Sequence, residues 1–299
     1  MKIGIPRGLF YHKYHPYYIT LFESLGCEVE ISPQTNKKIL NLGTKYCVDE
    51  ACLPIKIFHG HAAYLKDKCD FLLVPRIMET EKDEYICPKF CGLPEMIKNS
   101  IPDIPELISP SLNLYSNLSF RNFGRKSAIF VTKNPFKIKS SLDKAEEELK
   151  YHFTGIKTKG SKSLTIALVG HSYNIYDEFV NMNIVNKLKS MGVGIITEEY
   201  LDEEYKIQEL RTLYKKPFWS YVKDSYGFSS YMIKKNLVNG IIYLSSFACG
   251  IDSIVIDLIK DNLKDSPMLV LKLDEQTGET GFNTRLEAFV DMLDRRKII

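Results

Sequence analysis

The sequence lacks any apolar run approaching the roughly 20 residues that span a bilayer, which excludes a helical membrane span. It also lacks a strong charge of either sign. With 40 Lys plus Arg against 37 Asp plus Glu, the net charge of +3 excludes a nucleic-acid binder held mainly by phosphate contacts. Met1 leads directly into the strand-like Lys2-Ile3-Gly4-Ile5, with no secretory h-region between, so the cytoplasm is the expected compartment. No Gly-x-Gly-x-x-Gly follows either opening strand, and no Gly-x-Ser-x-Gly elbow or Gly-x-x-x-x-Gly-Lys-Ser/Thr loop occurs. Dinucleotide dehydrogenases, serine hydrolases and P-loop enzymes thus miss their usual signals. So does an actin-like ATPase, for want of paired Gly-rich phosphate hairpins opening with Asp-x-Gly. A compact Cys-x-x-Cys array is absent too, so spacing alone does not separate an iron-sulfur cluster from zinc or from buried thiols.

What is present is a globular composition, 44% hydrophobic and 26% charged, over 299 residues, long enough for two lobes of roughly 150 residues. Strand-like runs alternate with amphipathic stretches, the pattern of an α/β fold with helices flanking a sheet. In the first half, Lys2 to Pro6, Val29 to Ser32 and Phe71 to Pro75 read as strands, and Pro16 to Leu25 as a helix stopped at Gly26. In the second, Leu164 to Gly170, Val193 to Thr197, Ile241 to Leu244 and Met268 to Leu273 read as strands, and Asp177 to Ser190 as a helix. The two openings share an order, which reads equally as a duplication or as two generic βαβ units. The basic stretch Lys157 to Ser163 reads as a hinge. It gives an N-terminal lobe 1–160 and a C-terminal lobe 161–299. Pro102 to Asn122, rich in Pro, Ser and Asn, reads as a surface crossover.

Seven cysteines are an odd number, and the chain is too long for a disulfide miniprotein, so metal binding, redox chemistry and burial stand open. Cys52 precedes a helix-like run with Pro54 in its first turn, where backbone N–H groups stabilise a thiolate. Cys87, followed by Pro88, and Cys249, in a loop between the strand Ile241 to Leu244 and a helical run, repeat the pattern of a thiol in a strand-to-helix loop. Such loops converge beyond the carboxyl ends of strands, where ligands of open α/β sheets sit. Thiolates are the normal ligands of iron-sulfur clusters. Cys47, Cys52, Cys87 and Cys91 also admit a four-thiolate zinc site with loose spacing. Cys27 and Cys69 read as buried. His59 and His61, two apart on a helix, read as solvated or core-satisfied. The loop from Asp274 to Gly281 reads equally as an anion cradle or a capped turn. Gly170-His171-Ser-Tyr-Asn174 ends a strand and reads as turn chemistry or as part of the same crevice.

Met1-Lys-Ile-Gly-Ile-Pro-Arg-Gly-Leu, Asp49-Glu-Ala-Cys52-Leu-Pro-Ile-Lys with Phe58-His-Gly-His61, Tyr85-Ile-Cys87-Pro-Lys-Phe, Cys249-Gly-Ile-Asp-Ser and Asp274-Glu-Gln-Thr-Gly-Glu-Thr-Gly resemble the acyl-CoA dehydratase activase-related family. That family, a CoA-substrate-specific enzyme activase or DUF2229-like group, is similar in its modules to the iron-sulfur subunits of 2-hydroxyacyl-CoA dehydratases, benzoyl-CoA reductases and double-cubane cluster proteins. The resemblance implies two doubly wound lobes, Rossmann- or flavodoxin-like, with a cluster in the cleft between them. It implies that Cys52, Cys87 and Cys249 each give a thiolate to a 4Fe-4S cluster. Cys47 or Cys91 then either supplies a fourth ligand or helps hold a larger cluster of the double-cubane type.

The resulting expectation is an iron-sulfur redox protein that accepts low-potential electrons from an ATP-dependent activase, for reduction or dehydration of an acyl-CoA or related substrate. A homodimer is compatible with it. The other reading is a non-catalytic binding subunit, zinc-structured through Cys47, Cys52, Cys87 and Cys91, that docks an activase or an acyl-CoA enzyme. Nucleotide hydrolysis by this chain follows the family label but not its residues.

Overall fold

The computed structural model describes residues 1–81, 84–114, 116–215, 217–264 and 266–296. It divides into two compact units, Met1–Phe153 and Thr154–Ile299. Both are α/β with largely parallel sheets, as the alternating pattern predicts.

In the first unit, β1 (Lys2–Ile5) is buried along nearly its whole length, as suits a central strand of a parallel sheet. It feeds α1 (Tyr11–Ser24), which ends at Gly26, a residue with φ +83° that only glycine adopts without strain. β2 (Glu28–Ile31) returns parallel to β1, pairing Ile3 with Val29 and Ile5 with Ile31. The helix pair α2 (Lys37–Tyr46) and α3 (Leu53–Leu65) leads to β3 (Phe71–Leu73), β4 (Arg76–Glu81) and β5 (Glu84–Tyr85). Then come α4 (Pro88–Cys91), α5 (Leu93–Ser100), β6 (Glu106–Ile108), β7 (Ser111–Asn113), α6 (Asn117–Ala128) and α7 (Pro135–Tyr151). The main sheet has the order β2-β1-β3-β6, and a smaller one the order β5-β4-β7. Ile3, Ile5, Tyr17, Leu21, Phe22 and Phe123 lie in the core between the main sheet and the helices α1, α6 and α7.

The second unit runs β8 (Lys157–Thr158), β9 (Thr165–Gly170), α8 (Ser172–Ile175), α9 (Ile184–Ser190), β10 (Gly194–Ile196) and α10 (Glu203–Leu210). A helical segment follows, α11 (Ser220–Val222) passing through a π turn (Lys223–Gly227) into α12 (Phe228–Lys234). β11 (Gly240–Ser246), α13 (Gly250–Asn262), β12 (Met268–Leu273) and α14 (Glu279–Arg296) complete it. The sheet order is β12-β11-β9-β10-β8. All seven residues of β11 are buried, the near-continuous apolar run of a strand covered on both faces.

Four local expectations are corrected. The first helix starts at Tyr11 rather than Pro16 and carries Pro16 inside it. Pro16 cannot donate to the His12 carbonyl, which instead takes a 2.8 Å hydrogen bond with His152 Nε2. The helix expected over Asp177 to Ser190 begins only at Ile184. Asp177 turns the chain by accepting from the N–H groups of Phe179 and Val180, and Met182 and Asn183 sit at φ +53° and +58°. The stretch Pro102 to Asn122 is not a bare crossover but holds β6, β7 and the start of α6, because Ile108 and Leu112 are fully buried and its prolines lie outside the short strands. Within the expected hinge, Lys157 and Thr158 form an antiparallel edge strand against Ile196 and Ile195.

Candidate functional site

In open α/β sheets the ligand crevice lies where the chain switches from building one side of the sheet to building the other. In the first unit that point is between β1 and β3; in the second it is between β9 and β11.

Near the first switch point lies an apolar cavity of about 30 Å³, lined among others by Gly8, Leu9, Tyr11, Phe58, Pro75 and Phe90. Phe58 belongs to α3 and Phe90 to α4, so both helices that follow a candidate thiol reach it. Cys52 is the extended N-cap residue of α3, with Pro54 in the first turn, and its carbonyl accepts from the N–H groups of Ile55 and Lys56 at 3.0 and 3.2 Å. Twelve of the thirteen α3 residues are buried. Two glycines seat this helix: a Cβ on Gly43 would lie 2.1 Å from the Lys56 carbonyl oxygen, and one on Gly60 2.0 Å from that of Ile39. Cys87 is the N-cap residue of the single-turn α4, again with proline behind it. Both thiols are half-buried, and neither is in a disulfide.

Cys47 ends α2. Burial pushes its thiol up to about 11, with Cys52 adding to the rise and the Val48 backbone, Lys56 and Lys89 opposing it. Cys91 closes α4, and its carbonyl accepts a 2.6 Å hydrogen bond from the Arg76 guanidinium, which also pairs with Glu95. Cys69 packs its sulfur against Gly4 of β1 and donates to the Leu65 carbonyl, and burial raises its thiol to about 11. Cys27 is buried in the core of the first unit. His59 and His61 are both buried in α3. His59 bonds the Ile55 carbonyl through Nδ1, and His61 Nε2 lies 3.0 Å from Thr35 Oγ1.

At the second switch point the loops after β9 and β11 meet. Gly170, at φ +142°, allows the approach, since a Cβ there would lie 2.4 Å from the Leu244 carbonyl oxygen. Cys249 is the half-buried N-cap residue of α13, preceded by Ala248 in the left-handed region at φ +62°, an uncommon conformation for a residue with a side chain. Its Sγ lies 3.7 Å from His171 Nε2. The same nitrogen lies 3.0 Å from Asp252 Oδ1, with both side chains essentially inaccessible to solvent. Asp252 sits three residues after Cys249, the spacing that stacks two side chains on one helix face. Its Oδ1 accepts from the Tyr243 hydroxyl at 2.8 Å and its Oδ2 from the Ser246 N–H at 3.3 Å. Tyr173 stacks on the His171 ring and Tyr221 meets it edge-on.

Burial alone would lower the His171 pKa, but the Asp252 carboxylate outweighs it, with Cys249 assisting, and raises it to about 10. Burial likewise pushes the Asp252 carboxyl up, while His171 and the hydroxyl of Tyr243 pull it down further and hold it below its usual range. The two therefore form a buried ion pair at neutral pH. In the sequence His171 reads only as a loop residue, and Asp252 only as part of a motif. The signals for them were the i, i+3 spacing to Cys249 and a histidine placed directly after a strand.

Among the described residues, two groups of three or more His, Cys, Asp or Glu ligand atoms lie within 4.8 Å of one another: His171, Cys249 and Asp252, and Glu198, Glu203 and Asp224. The second group surrounds the buried Lys206 ammonium, with Lys223 on Glu203, so two of its three negative charges are already balanced. Among the described residues, no three cysteine sulfurs form such a group. The loop after β12 is a capped turn, the second of its two readings: Asp274 Oδ1 accepts from the Gln276 N–H and the Thr277 hydroxyl, and Glu279 pairs with Lys187.

Among the described residues, no helix is long and apolar enough to cross a membrane. A family model described as CoA enzyme activase uncharacterised domain (DUF2229) matches residues 2–201, a span that includes Cys52, Cys87 and His171 and stops short of Cys249 and Asp252. No curated protein matches the chain.

Proposed function

Since the chain belongs to the CoA enzyme activase uncharacterised domain (DUF2229) family, we propose that it is an iron-sulfur redox protein of an acyl-CoA dehydratase or activase system. In this reading Cys52, Cys87 and Cys249 give thiolates to a 4Fe-4S cluster. The observation that carries it is shared by the three thiols: each is a half-buried N-cap residue at the head of a helix and takes part in no disulfide. Such a donor set fits the group, because thiolates are what iron-sulfur clusters bind. When bound, a 4Fe-4S cluster supplies one-electron chemistry at low potential.

The residues of the chain have the remaining tasks. Cys52 stands at the head of α3, which packs closely on α2, and the Lys56 and Lys89 charges bear on the neighbouring Cys47 thiol. Cys47 and Cys91 are the candidates for a fourth ligand or for a larger, double-cubane-type cluster. The partner is an ATP-dependent activase that donates the electron, and the chemistry served is reduction or dehydration of an acyl-CoA or related substrate. The other reading, a zinc-structured binding subunit held through Cys47, Cys52, Cys87 and Cys91, is separated from it by metal content.

The test is iron, sulfide and zinc content with EPR spectra, oxidised and reduced, on anaerobically prepared protein and on Cys52→Ser, Cys87→Ser and Cys249→Ser. Iron and sulfide should be present in the parent and lost in all three variants. Protein that stays iron-free after reconstitution, or that carries zinc unaffected by Cys249→Ser, overturns the reading.

A further inference from the structure

The partly buried cations Lys206, Arg76 and Arg121 are met by carboxylates: Glu198, Glu203 and Asp224 for the first, Glu95 for the second, Asp143 and Glu146 for the third. Arg7 is not. Half-buried in the loop after β1, beside the first switch point, it has no carboxylate partner among the described residues, and its buried Nε has no hydrogen-bond partner. Its place is nonetheless fixed. The guanidinium carbon lies 5.3 Å from the centroid of the Tyr11 ring, and the backbone N–H donates to Ser32 Oγ at 2.8 Å. Taking a charge partly out of water without a counter-ion is costly. Burial, with the Arg7 charge adding to it, keeps the neighbouring His12 and His61 neutral, at about 4 and about 3. The apolar cavity of about 30 Å³ lies against the same loop: Pro6 and Gly8, on either side of Arg7, line it, and so does Tyr11. Tyr18 lines it as well, and its buried hydroxyl has no hydrogen-bond partner. One water-sized atom needs about 10–15 Å³, so the cavity seats about two. An apolar occupant would leave both polar groups unmet, and a water would leave the charge unmet.

We propose that Arg7 and this cavity form a binding site for a small organic acid: its carboxylate pairs with Arg7 and accepts from the Tyr18 hydroxyl, and its short alkyl part fills the apolar space against Phe58 and Phe90. The planar guanidinium fork matches the two oxygens of a carboxylate. The walls set the length of the chain. About two to four carbons fit, whereas a long acyl tail would have to force packed side chains apart. A phosphate would meet Arg7 but leave the apolar space empty, so a carboxylate is the favoured chemistry. The site lies wholly within the first unit and uses none of the thiols, so it stands independently of the cluster reading.

The test is a saturation-transfer NMR titration of the full chain at constant ionic strength, with acetate, propionate, butyrate, octanoate and inorganic phosphate as probes. The three short acids should bind saturably, and octanoate and phosphate about tenfold more weakly or not at all. Arg7→Gln, its fold checked by far-UV circular dichroism, should weaken propionate about tenfold or more, the loss of a charge-assisted hydrogen-bonded pair. Arg7→Lys, which keeps the charge without the fork, should fall between that variant and the parent. Tyr18→Phe should weaken propionate about fivefold, the worth of one hydrogen bond. Absence of saturable propionate binding overturns the proposal, and so does parental affinity in a folded Arg7→Gln protein. Phosphate binding as tightly as propionate would mark a bare anion site, and octanoate binding as tightly would mark a surface patch; either result overturns the assignment. Should Arg7→Gln fail to fold, Arg7→Lys and Tyr18→Phe decide it, and parental affinity in both overturns it. Iron does not enter these titrations, so a failure here leaves the cluster reading standing, and absence of a cluster leaves the binding result standing.

Discussion

The crossing of α2 and α3 predicts that one substitution, glycine to alanine inside a helix, has opposite signs at two places. At Gly60 a new Cβ would sit 2.0 Å from the Ile39 carbonyl oxygen and 3.0 Å from the Gly43 nitrogen. Both are backbone atoms of the facing helix, so no side chain can rotate away and the helices must separate. Overpacking costs about 1–3 kcal/mol, and a clash with fixed backbone belongs at the top of that range, about 3 kcal/mol. Alanine recovers about 1 kcal/mol of helix propensity, leaving a net loss of about 2 kcal/mol. At Gly281, in the first turn of α14, nothing lies within 4 Å of the new Cβ, so only the propensity gain remains, at most about 1 kcal/mol. Thermal unfolding followed by far-UV circular dichroism should show Gly60→Ala melting about 4–8 °C lower and Gly281→Ala level or up to about 4 °C higher, at about 2–4 °C per kcal/mol. Because Cys52 caps α3, Gly60→Ala should also loosen hydrogen-exchange protection at the first turn of α3. A Gly60→Ala protein as stable as the parent would refute the claim that the two backbones are in contact, and with it the account of how Cys52 is positioned.

Acidification should destabilise the first unit. Burial, with the charges of Arg7 and His12 adding to it, lowers the His61 pKa to about 3, so the native state binds fewer protons there than the unfolded chain, whose histidines titrate near 6.5. The stability is complete above pH 6.5 and is lost as pH falls toward 3, by about 2 kcal/mol at pH 5. His12, lowered to about 4 chiefly by burial, contributes with the same sign. Urea midpoints at pH 7.5 and 5.0 should differ less in His61→Gln than in the parent, and an equal difference would count against this. Lys206→Met removes the buried cation among Glu198, Glu203 and Asp224 and should cost about 3–5 kcal/mol, with Glu198→Gln in that background restoring part of it. A Lys206→Met protein of parental stability would show that those carboxylates do not depend on it.

Much of the molecule is written locally. The buried runs Lys2–Ile5, Thr165–Gly170 and Gly240–Ser246 are strands because apolar stretches bounded by polar loops and glycine leave few other choices, and they dictate the α/β class. Cys52, Cys87 and Cys249 were legible as helix-capping thiols because proline after the first two, and a strand-loop-helix order around the third, are nearest-neighbour features. What failed was also local in origin but settled at a distance. Pro16 reads as a helix start, yet His152, far along the chain, supplies the hydrogen bond that lets the helix run through it. The prolines around Glu106–Ile108 and Ser111–Asn113 read as loop, yet pairing of Phe71 with Glu106 and of Arg76 with Ser111 makes strands there.

The deepest divide concerns His171 and Asp252. The sequence by itself determined the parallel α/β architecture and which thiols cap helices, since periodicity and capping act over a few residues. Only the tertiary structure decided that residues 171 and 252 form a buried ion pair beside Cys249. Bringing them together depends on the pairing of β9 with β11 and on the bare Gly170 that lets the two loops touch, and a contact spanning some eighty residues leaves no periodic trace in the chain.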